Sequence, residues 1–272
     1  MKSRYLHALL TASLLLRFPA AAQDSARSSQ TLDGVLLDDA AAFWGDAGKV
    51  FCAPARFGGR EWATANLALT ATVLLFTTDA SIRSFAERNH SRLADDAFEA
   101  GRQYGQNLNV LLISGGIYMG GLLLNHEHVR TTGRMVLESA LFAGAITTVL
   151  KSVTGRSRPD AQEGPYRLRG VQFSAERLSL PSGHATLAFA VSSVLSNRIH
   201  NVFASVGLYT LAVVTALSRV YHDDHWLSDT FLGSVVGTSV GITISSREDS
   251  PPPSTAFRIF PLPAGVRAEF RF

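Results

Sequence analysis

The sequence is poor in cysteine, and its single thiol is Cys52. One cysteine cannot form an intramolecular disulfide. Cys52 also lies too far from the start of the chain to be a lipid anchor behind the leader described below. We therefore expect Cys52 to be a small apolar residue of the core.

Charged residues are also scarce. Only 17% of the 272 residues are charged and 46% are hydrophobic, whereas an average soluble domain carries about 25% charged residues. The length is enough for one large domain or two small ones, each with a substantial core. The composition favours a membrane protein or a tightly buried helical protein.

The chain lacks an excess of basic charge once its first 22 residues are set aside. Those residues have the pattern of a secretory signal: Lys2 and Arg4, the apolar run Leu6–Leu16, and the small residues Ala20–Ala22. An uncleaved amphipathic anchor is the alternative. The leader contains three of the 25 basic residues, so the remainder balances the 22 acidic residues. The charge therefore gives no support for a nucleic-acid partner.

Six long apolar segments dominate the middle of the chain and are typical of helices rather than strands. A membrane span needs about 20 apolar residues, and the second and fifth segments qualify by length. The others are marginal and would also suit a soluble bundle. We predict an all-α fold, a bundle of about six core helices. The segments are Trp62–Thr78, Gln103–Asn125, Met135–Leu150, His184–Asn197, Ile199–Ser218 and Thr230–Ser246.

The sequence divides into four parts. Residues 1–22 are the predicted leader, and residues 23–60 form an N-terminal arm with short helices and turns. Residues 61–246 form the helical domain. Residues 247–272 are a Pro-rich linker followed by a C-terminal strand or hairpin, because the apolar and polar residues alternate there.

Two short motifs of the helical domain suit a phosphate group. Lys151 and Arg158-Pro159 follow the third apolar segment, and lysine and arginine both bind phosphate oxygens. Pro181-Ser182-Gly183-His184 opens the fourth segment. We expect Ser182 to cap the new helix, Gly183 to let an anion approach the backbone, and His184 to give or take a proton. Alone, each motif also suits an ordinary helix end.

The third motif, Arg219-(x5)-His225-(x3)-Asp229, lies between the fifth and sixth segments. Residues i and i+4 share one face of a helix, so we expect Asp229 to accept the Nδ1–H of His225. That contact leaves Nε2 free as a nucleophile and stabilises the positive charge that attack produces. Arg219 adds a third cation. Alone, the motif also suits a surface His–Asp pair.

In order and spacing, the motifs from Lys151 to Asp229 resemble the type 2 phosphatidic acid phosphatase and haloperoxidase (PAP2) superfamily over about a third of the chain. The resemblance implies that the motifs converge at one end of a helical bundle. It implies that His225 attacks phosphorus, that Asp229 orients His225, and that His184 protonates the leaving group. It also implies phosphate-binding residues and no metal or other cofactor. The phosphate-binding residues would be Lys151, Arg158, Ser182, Gly183 and Arg219.

The resemblance raises a question of orientation, because the site of such relatives usually faces outward. A cleaved leader followed by six spans would put the loop after Leu150 on the cytoplasmic side. Three alternatives resolve the conflict: the first segment, which stops at Asp79, does not cross, the leader is not a cleaved signal, or the bundle is soluble. We expect a membrane-embedded protein of the cell envelope with a site that faces the periplasm.

Two polar clusters fall outside the motifs. His222-Asp223-Asp224 precedes the third motif's histidine, and we expect it to cap the sixth helix. His126-Glu127-His128 superficially suggests a metal site, but residues i and i+2 of a helix do not face each other. We expect no metal there.

The leading interpretation is a phosphatase of a lipid phosphomonoester or pyrophosphate, such as phosphatidate, undecaprenyl pyrophosphate or a lipid A phosphate. A soluble periplasmic acid phosphatase of broad specificity is the first alternative. A vanadate-dependent haloperoxidase is a second alternative, disfavoured because such proteins are usually much longer. An inactive structural protein is disfavoured because every polar motif residue is present. The sequence does not predict the oligomeric state.

Overall fold

The structure is a computed structural model, and it describes residues 31–246, 256–262 and 265–271. Between residues 31 and 246 the chain is folded into eight α-helices joined by short turns and one long loop, which runs from residue 155 to 182. The helices are α1 (Leu32–Phe51), α2 (Gly59–Arg88), α3 (Arg92–Tyr104), α4 (Asn107–Leu123), α5 (Glu127–Thr154), α6 (Gly183–Ile199), α7 (Val202–Tyr221) and α8 (Leu227–Ser245).

Helix α6 lies at the centre of the bundle. Its Ala188, Val191 and Val194 side chains are fully buried, and it packs against α5, α7 and α8. The contact with α8 is close enough that a Cβ on Gly237 would lie 2.1 Å from the carbonyl oxygen of Thr186. Small residues let two helix backbones approach in this way. The α6–α8 contact therefore fixes the relative position of the second and third motifs.

The helix directions bring the motifs to one end of the bundle, called here the motif end. Helix α5 ends there shortly after Lys151 and α7 ends shortly after Arg219, whereas α6 and α8 begin there. A backbone hydrogen bond of 2.9 Å from Ser182 N to Asp229 O ties the two starts together. Helix α2 reaches the same end at Asp79, which accepts a hydrogen bond from Ser228 N.

The six predicted apolar helices are all present, and the all-α prediction is confirmed. Residues 23–60 were predicted to form short helices and turns; a short 3₁₀ helix is present at Ala53–Arg56, but α1 before it is one helix of 20 residues. Its Asp39 pairs with Arg130 at 2.8 Å, a contact with α5 that local sequence does not reveal. Helix α3 was not predicted, because its charged residues leave no continuous apolar run, although one face of the helix is apolar. Ser91 caps it by accepting from Ala94 N.

Among the residues that the structure describes, four helices are long and apolar enough to cross a bilayer: α2, α5, α7 and α8. Leu67 and Leu74 of α2 are 70% and 63% exposed, which suits side chains that face lipid. The helical domain is therefore membrane-embedded. The segment Gln103–Asn125 was predicted to be long enough for a span, but it forms a helix of only 17 residues.

Three predictions concern regions at the edges of the domain. Cys52 is exposed at the end of α1, so its assignment to the core is wrong. The predicted leader, residues 1–22, lies outside the described residues. Near the C-terminus, strands β1 (Ala256–Leu262) and β2 (Gly265–Arg271) pair antiparallel. Their predicted role as a surface appendage stays a prediction.

Candidate active site

His225 lies in the turn between α7 and α8, and its side chain is only 3% exposed. Its backbone N–H donates to Arg219 O at 3.1 Å, so the turn folds back on the end of α7. The predicted shared helix face is wrong, because α8 begins at Leu227 and His225 precedes it. Asp229 occupies the first turn of α8, where its Oδ2 accepts from Trp226 N at 3.0 Å. The i, i+4 spacing still brings the two side chains together.

A third side chain, Ser179, joins His225 to Asp229. Nδ1 of His225 lies 3.5 Å from Asp229 Oδ2, and Ser179 Oγ lies 3.3 Å from the same Nδ1. Ser179 donates its one hydroxyl proton to Asp229 Oδ2 over 2.5 Å. The Ser179 oxygen can then only accept from His225. The imidazole proton is therefore held on Nδ1, and Nε2 keeps a free lone pair.

Three cations lie around this histidine. Lys151 Nζ donates to Leu178 O at 2.7 Å, which points it into the loop before α6. Arg158 is held by a 3.0 Å backbone bond to Glu176 O, and its Nε has no partner among the described residues. Arg219 pairs through Nη2 with Asp224 at 2.7 Å. Its Nε and Nη1 atoms are buried and make no hydrogen bond within the described range. The guanidinium groups thus keep donors available for an anion.

The start of α6 faces the same space. Ser182 stands at the N-cap position, but the prediction that its side chain caps the helix is wrong, because its hydroxyl makes no capping bond. Ser182 Oγ is buried and unpartnered among residues 31–246. A Cβ built on Gly183 would lie 4.0 Å from Lys151 Cε. A free hydroxyl, the unpaired N–H groups of a helix start and a neighbouring lysine together suit an anion.

Burial and nearby cations keep both site histidines neutral. The pKa of His225 is lowered to about 3, first by burial and then by the charge of Lys151, which together outweigh the raising effect of Asp229. The pKa of His184 is lowered to about 4 by burial and next by the charge of Arg219. At neutral pH the empty site therefore holds two uncharged imidazoles among cations.

Sequence reasoning missed three residues of this site: Ser179, Arg156 and Asp79. Arg156 is fully buried and donates to Asp229 Oδ1 at 2.6 Å and to Asp79 Oδ2 at 2.7 Å. Asp79 also accepts from Ser228 N at 3.0 Å. One signal was available, since a carboxylate inside an apolar helix is costly unless it is paired. Asp79 is such a residue.

The His222-Asp223-Asp224 turn does not cap α8, contrary to the prediction. Asp223 lies in the left-handed region (φ 60°) and makes a bidentate pair with Arg83 of α2, with both bonds at 2.7 Å. Asp224 pairs with Arg219 instead. The turn thus links α2 to Arg219 at the end of α7.

His126, Glu127 and His128 stand at the start of α5, away from the motif end. Within residues 31–246 and the two strands, no three His, Cys, Asp or Glu side chains are grouped so as to hold a metal ion. That the chain needs no metal stays a prediction.

Comparison with known proteins gives relatives for part of the chain. The chain is 32% identical over 117 residues to a lipid A 1-phosphatase of Porphyromonas gingivalis, covering 41% of this chain and 23% of that protein. It is 28% identical over 114 residues to a PA-phosphatase related-family protein of Dictyostelium discoideum, covering 36% of this chain and 41% of that protein. The chain thus spans less than half the length of either relative.

Comparison with solved structures gives two matches. A transmembrane PAP2-type phosphatidylglycerolphosphate phosphatase of Bacillus subtilis superposes with a TM-score of 0.52 at 20% identity, covering 65% of this chain and 92% of that chain. LpxE of Aquifex aeolicus gives a TM-score of 0.48 at 20% identity, covering 61% and 93%. The model of the PAP2 superfamily matches residues 133–249, which include all three motifs. The motif-bearing part of the chain, residues 133–249, is thus similar to the PAP2 superfamily.

Proposed function

We propose that this protein is a phosphatase that hydrolyses a phosphorylated lipid through a phosphohistidine on His225. The observation that carries the proposal is the buried imidazole whose proton is fixed on Nδ1. The charges of Lys151 and Arg158 act on this imidazole, and the backbone oxygen of Arg219 accepts from the His225 N–H at 3.1 Å. A nucleophile among cations suits phosphoryl transfer, in which positioning and charge stabilisation supply most of the catalysis.

The proposed reaction has two steps. Nε2 of His225 attacks phosphorus, the P–O bond to the lipid breaks, and His184 gives its proton to the leaving oxygen. Water then attacks the phosphohistidine while His184 takes a proton from it, and inorganic phosphate leaves with His225 restored. The three cations, the Ser182 hydroxyl and the backbone at Gly183 hold the phosphate oxygens in both steps.

The substrate class follows from the surroundings of the site. The domain is membrane-embedded, which favours a lipid over the soluble substrates of a broad-specificity acid phosphatase. A relative that is 32% identical over 117 residues is a lipid A 1-phosphatase. We propose a lipid phosphomonoester or pyrophosphate of the phosphatidate, undecaprenyl pyrophosphate or lipid A type. A vanadate-dependent haloperoxidase remains the less favoured alternative.

We further propose that the site faces the periplasm. Helices α2, α4 and α5 carry the chain back and forth between the two ends of the bundle. Gly59 therefore lies opposite the motif end, about 30 Å below Asp79 at 1.5 Å per helical residue. An outward-facing site then places Gly59 at the cytoplasmic side. This orientation requires the uncleaved-anchor alternative for residues 1–22.

The test is phosphate release by the protein purified in mild detergent with EDTA present. The substrates are phosphatidate, undecaprenyl pyrophosphate, lipid A and p-nitrophenyl phosphate, and the variants are His225→Asn and His200→Asn. His200 is an exposed histidine at the end of α6, with a φ of 53° that asparagine tolerates, so it is a matched control. We expect release by the wild type and His200→Asn, and none by His225→Asn. Equal release by His225→Asn would overturn the proposal.

A further inference from the structure

Arg156 is enclosed so completely that every one of its N–H donors has a partner. Nε and Nη2 donate to Pro165 O at 3.0 and 2.6 Å, and Nη1 donates to Ser228 Oγ at 2.7 Å. The remaining two donors bind Asp229 and Asp79. Five bonds account for all five donors of a guanidinium group. The group also lies over the ring of Phe76, 3.8 Å from its centre.

Asp79 is held just as tightly, although it belongs to a different helix. It is 1% exposed, and its two oxygens accept from Arg156 Nη2, Ser228 N and Ser228 Oγ. Among the described residues Asp79 makes no hydrogen bond to His225, and it is connected to that ring through Arg156 and Asp229. A carboxylate so deeply buried costs several kcal/mol of desolvation unless its charge is compensated.

The charges of this cluster do not cancel. Asp79 and Asp229 carry two negative charges, and Arg156 carries one positive charge, so one negative charge remains beside His225. When Nε2 attacks phosphorus, the His225 ring becomes positively charged and faces that remaining negative charge. Without Asp79, Arg156 and Asp229 would neutralise each other, and the ring would face the cations of the site with no net counter-charge.

Resting on the proposed phosphohistidine mechanism, we propose that Asp79 is a positioning residue of the reaction. Through Arg156 it holds Asp229 in place and keeps a net negative charge beside the His225 ring. A purely structural role is the rival explanation, because Asp79 also accepts from the first turn of α8. The two roles differ in what they do to kcat when the fold is intact.

The first variant is Asp79→Asn, which keeps the size and one acceptor oxygen but removes the charge. We expect kcat to fall about 10- to 100-fold, the loss of one charged interaction. KM and inhibition by inorganic phosphate should stay within about twofold, because the phosphate-binding cations are untouched. Asp46→Asn is the matched control. Asp46 is a buried carboxylate paired with Arg134 at 3.3 Å on α5 and should leave kcat unchanged.

A double-mutant cycle separates positioning from structure. If Asp79 acts through Asp229, then Asp79→Asn should cost little further kcat in an Asp229→Asn background. Equal fold losses in both backgrounds would mean an independent structural effect and would overturn the inference. Ser228→Ala removes hydroxyl contacts but leaves all three charges, so its kcat should stay within about threefold. A loss as large as that of Asp79→Asn would also contradict it.

The outcomes distinguish this inference from the proposed function. An active His225→Asn variant would contradict the phosphohistidine mechanism itself. An inactive His225→Asn variant beside a fully active, folded Asp79→Asn variant would overturn only the role of Asp79. If Asp79→Asn does not fold, the kcat of Asp79→Glu tests the inference instead, because glutamate keeps the negative charge. Retention of at least about a tenth of kcat supports the inference, and a folded Asp79→Glu protein as impaired as Asp229→Asn contradicts it.

Discussion

Ser179 donates its hydroxyl proton to Asp229 over 2.5 Å, and both side chains are fully buried. Because the proton is committed to Asp229, the Ser179 oxygen is left to accept from Nδ1 of His225 at 3.3 Å. The serine thus sets the tautomer of the proposed nucleophile, although no motif of the sequence includes it.

Replacing this serine tests the relationship. Ser179→Ala should lower kcat about 10- to 100-fold, the cost of losing a hydrogen bond to a charged group, because the imidazole is no longer held with Nε2 free. KM should change little, since Ser179 does not bind phosphate. Steady-state kinetics on the detergent-purified protein measures both. Ser174→Ala, an exposed serine of the same loop, is the control. An unchanged kcat in Ser179→Ala would remove Ser179 from the mechanism.

The two histidines predict an acidic pH optimum for kcat/KM, which reports the free enzyme. His225 must be unprotonated to attack, and its pKa is about 3, so this requirement is met as pH rises above 3. His184 must be protonated to assist the leaving group, and its pKa is about 4, so activity falls as pH rises above 4. Bound phosphate is negative and raises the pKa of His184. The alkaline limb of kcat should therefore lie at higher pH than that of kcat/KM.

The role of His184 as the acid is checked with the variant His184→Asn and two substrates that differ in their leaving group, a lipid phosphate and p-nitrophenyl phosphate. A phosphomonoester itself loses its second proton at about pH 6. An alkaline limb of the pH profile that persists in His184→Asn therefore comes from the substrate and not from His184. p-Nitrophenolate leaves as a stabilised anion and needs less acid assistance. We expect His184→Asn to impair a lipid phosphate more than p-nitrophenyl phosphate. Equal impairment of both would argue against His184 as the acid.

The sequence predicted the parts of the site that follow from short spacing and from helix ends. Lys151, Ser182 and Asp229 each lie within one turn of a helix terminus, and helix termini can be located from apolar segments. Asp79 and Arg156 could not be assigned, because they are 77 residues apart and meet only when α2 packs against the motif end. Such pairings depend on tertiary structure, which a single sequence does not encode in any local pattern.

The same limit explains the helices that were not predicted. Helix α1 contains three glycines and four aspartates, which suggest turns when the segment is read alone. In the fold its Asp39 and Asp46 pair with arginines of α5. Ion pairs with α5 therefore stabilise α1, although the intrinsic helix propensity of its sequence is low. The wrong prediction of a core position for Cys52 has the same origin, because α1 was not predicted and the exposed cysteine lies at its end.

The α6–α8 contact predicts a strong effect of one methyl group. In Gly237→Ala the new Cβ would lie 2.1 Å from Thr186 O and 2.9 Å from Ala190 N, so the two backbones must separate. We expect the free energy of unfolding to fall by about 1–3 kcal/mol and activity to fall with it, because the contact aligns Ser182 with Asp229. Thermal unfolding in detergent measures the first effect.

Gly207→Ala is the matched control for that prediction. Gly207 is an exposed glycine in the middle of α7, and an added Cβ would meet nothing within 4 Å. Alanine there should leave stability unchanged or raise it by about 0.5–1 kcal/mol, because a helix interior favours alanine. Equal destabilisation by both substitutions would mean that close backbone approach is not what the α6–α8 contact requires.

A cysteine in the turn between α4 and α5 tests which way the site faces. Leu124 is 78% exposed in that turn, which lies at the end of the bundle opposite the motifs. If the site faces the periplasm, a membrane-impermeant maleimide should leave the variant Cys52→Ser/Leu124→Cys unlabelled in intact spheroplasts and label it after permeabilisation. The variant Cys52→Ser/Ser174→Cys has its thiol in the exposed loop at the motif end and should show the opposite pattern. Labelling of Cys52→Ser/Leu124→Cys but not of Cys52→Ser/Ser174→Cys in intact spheroplasts would place the site in the cytoplasm. That result would restore the cleaved leader, because an odd number of crossings separates residue 59 from the loop.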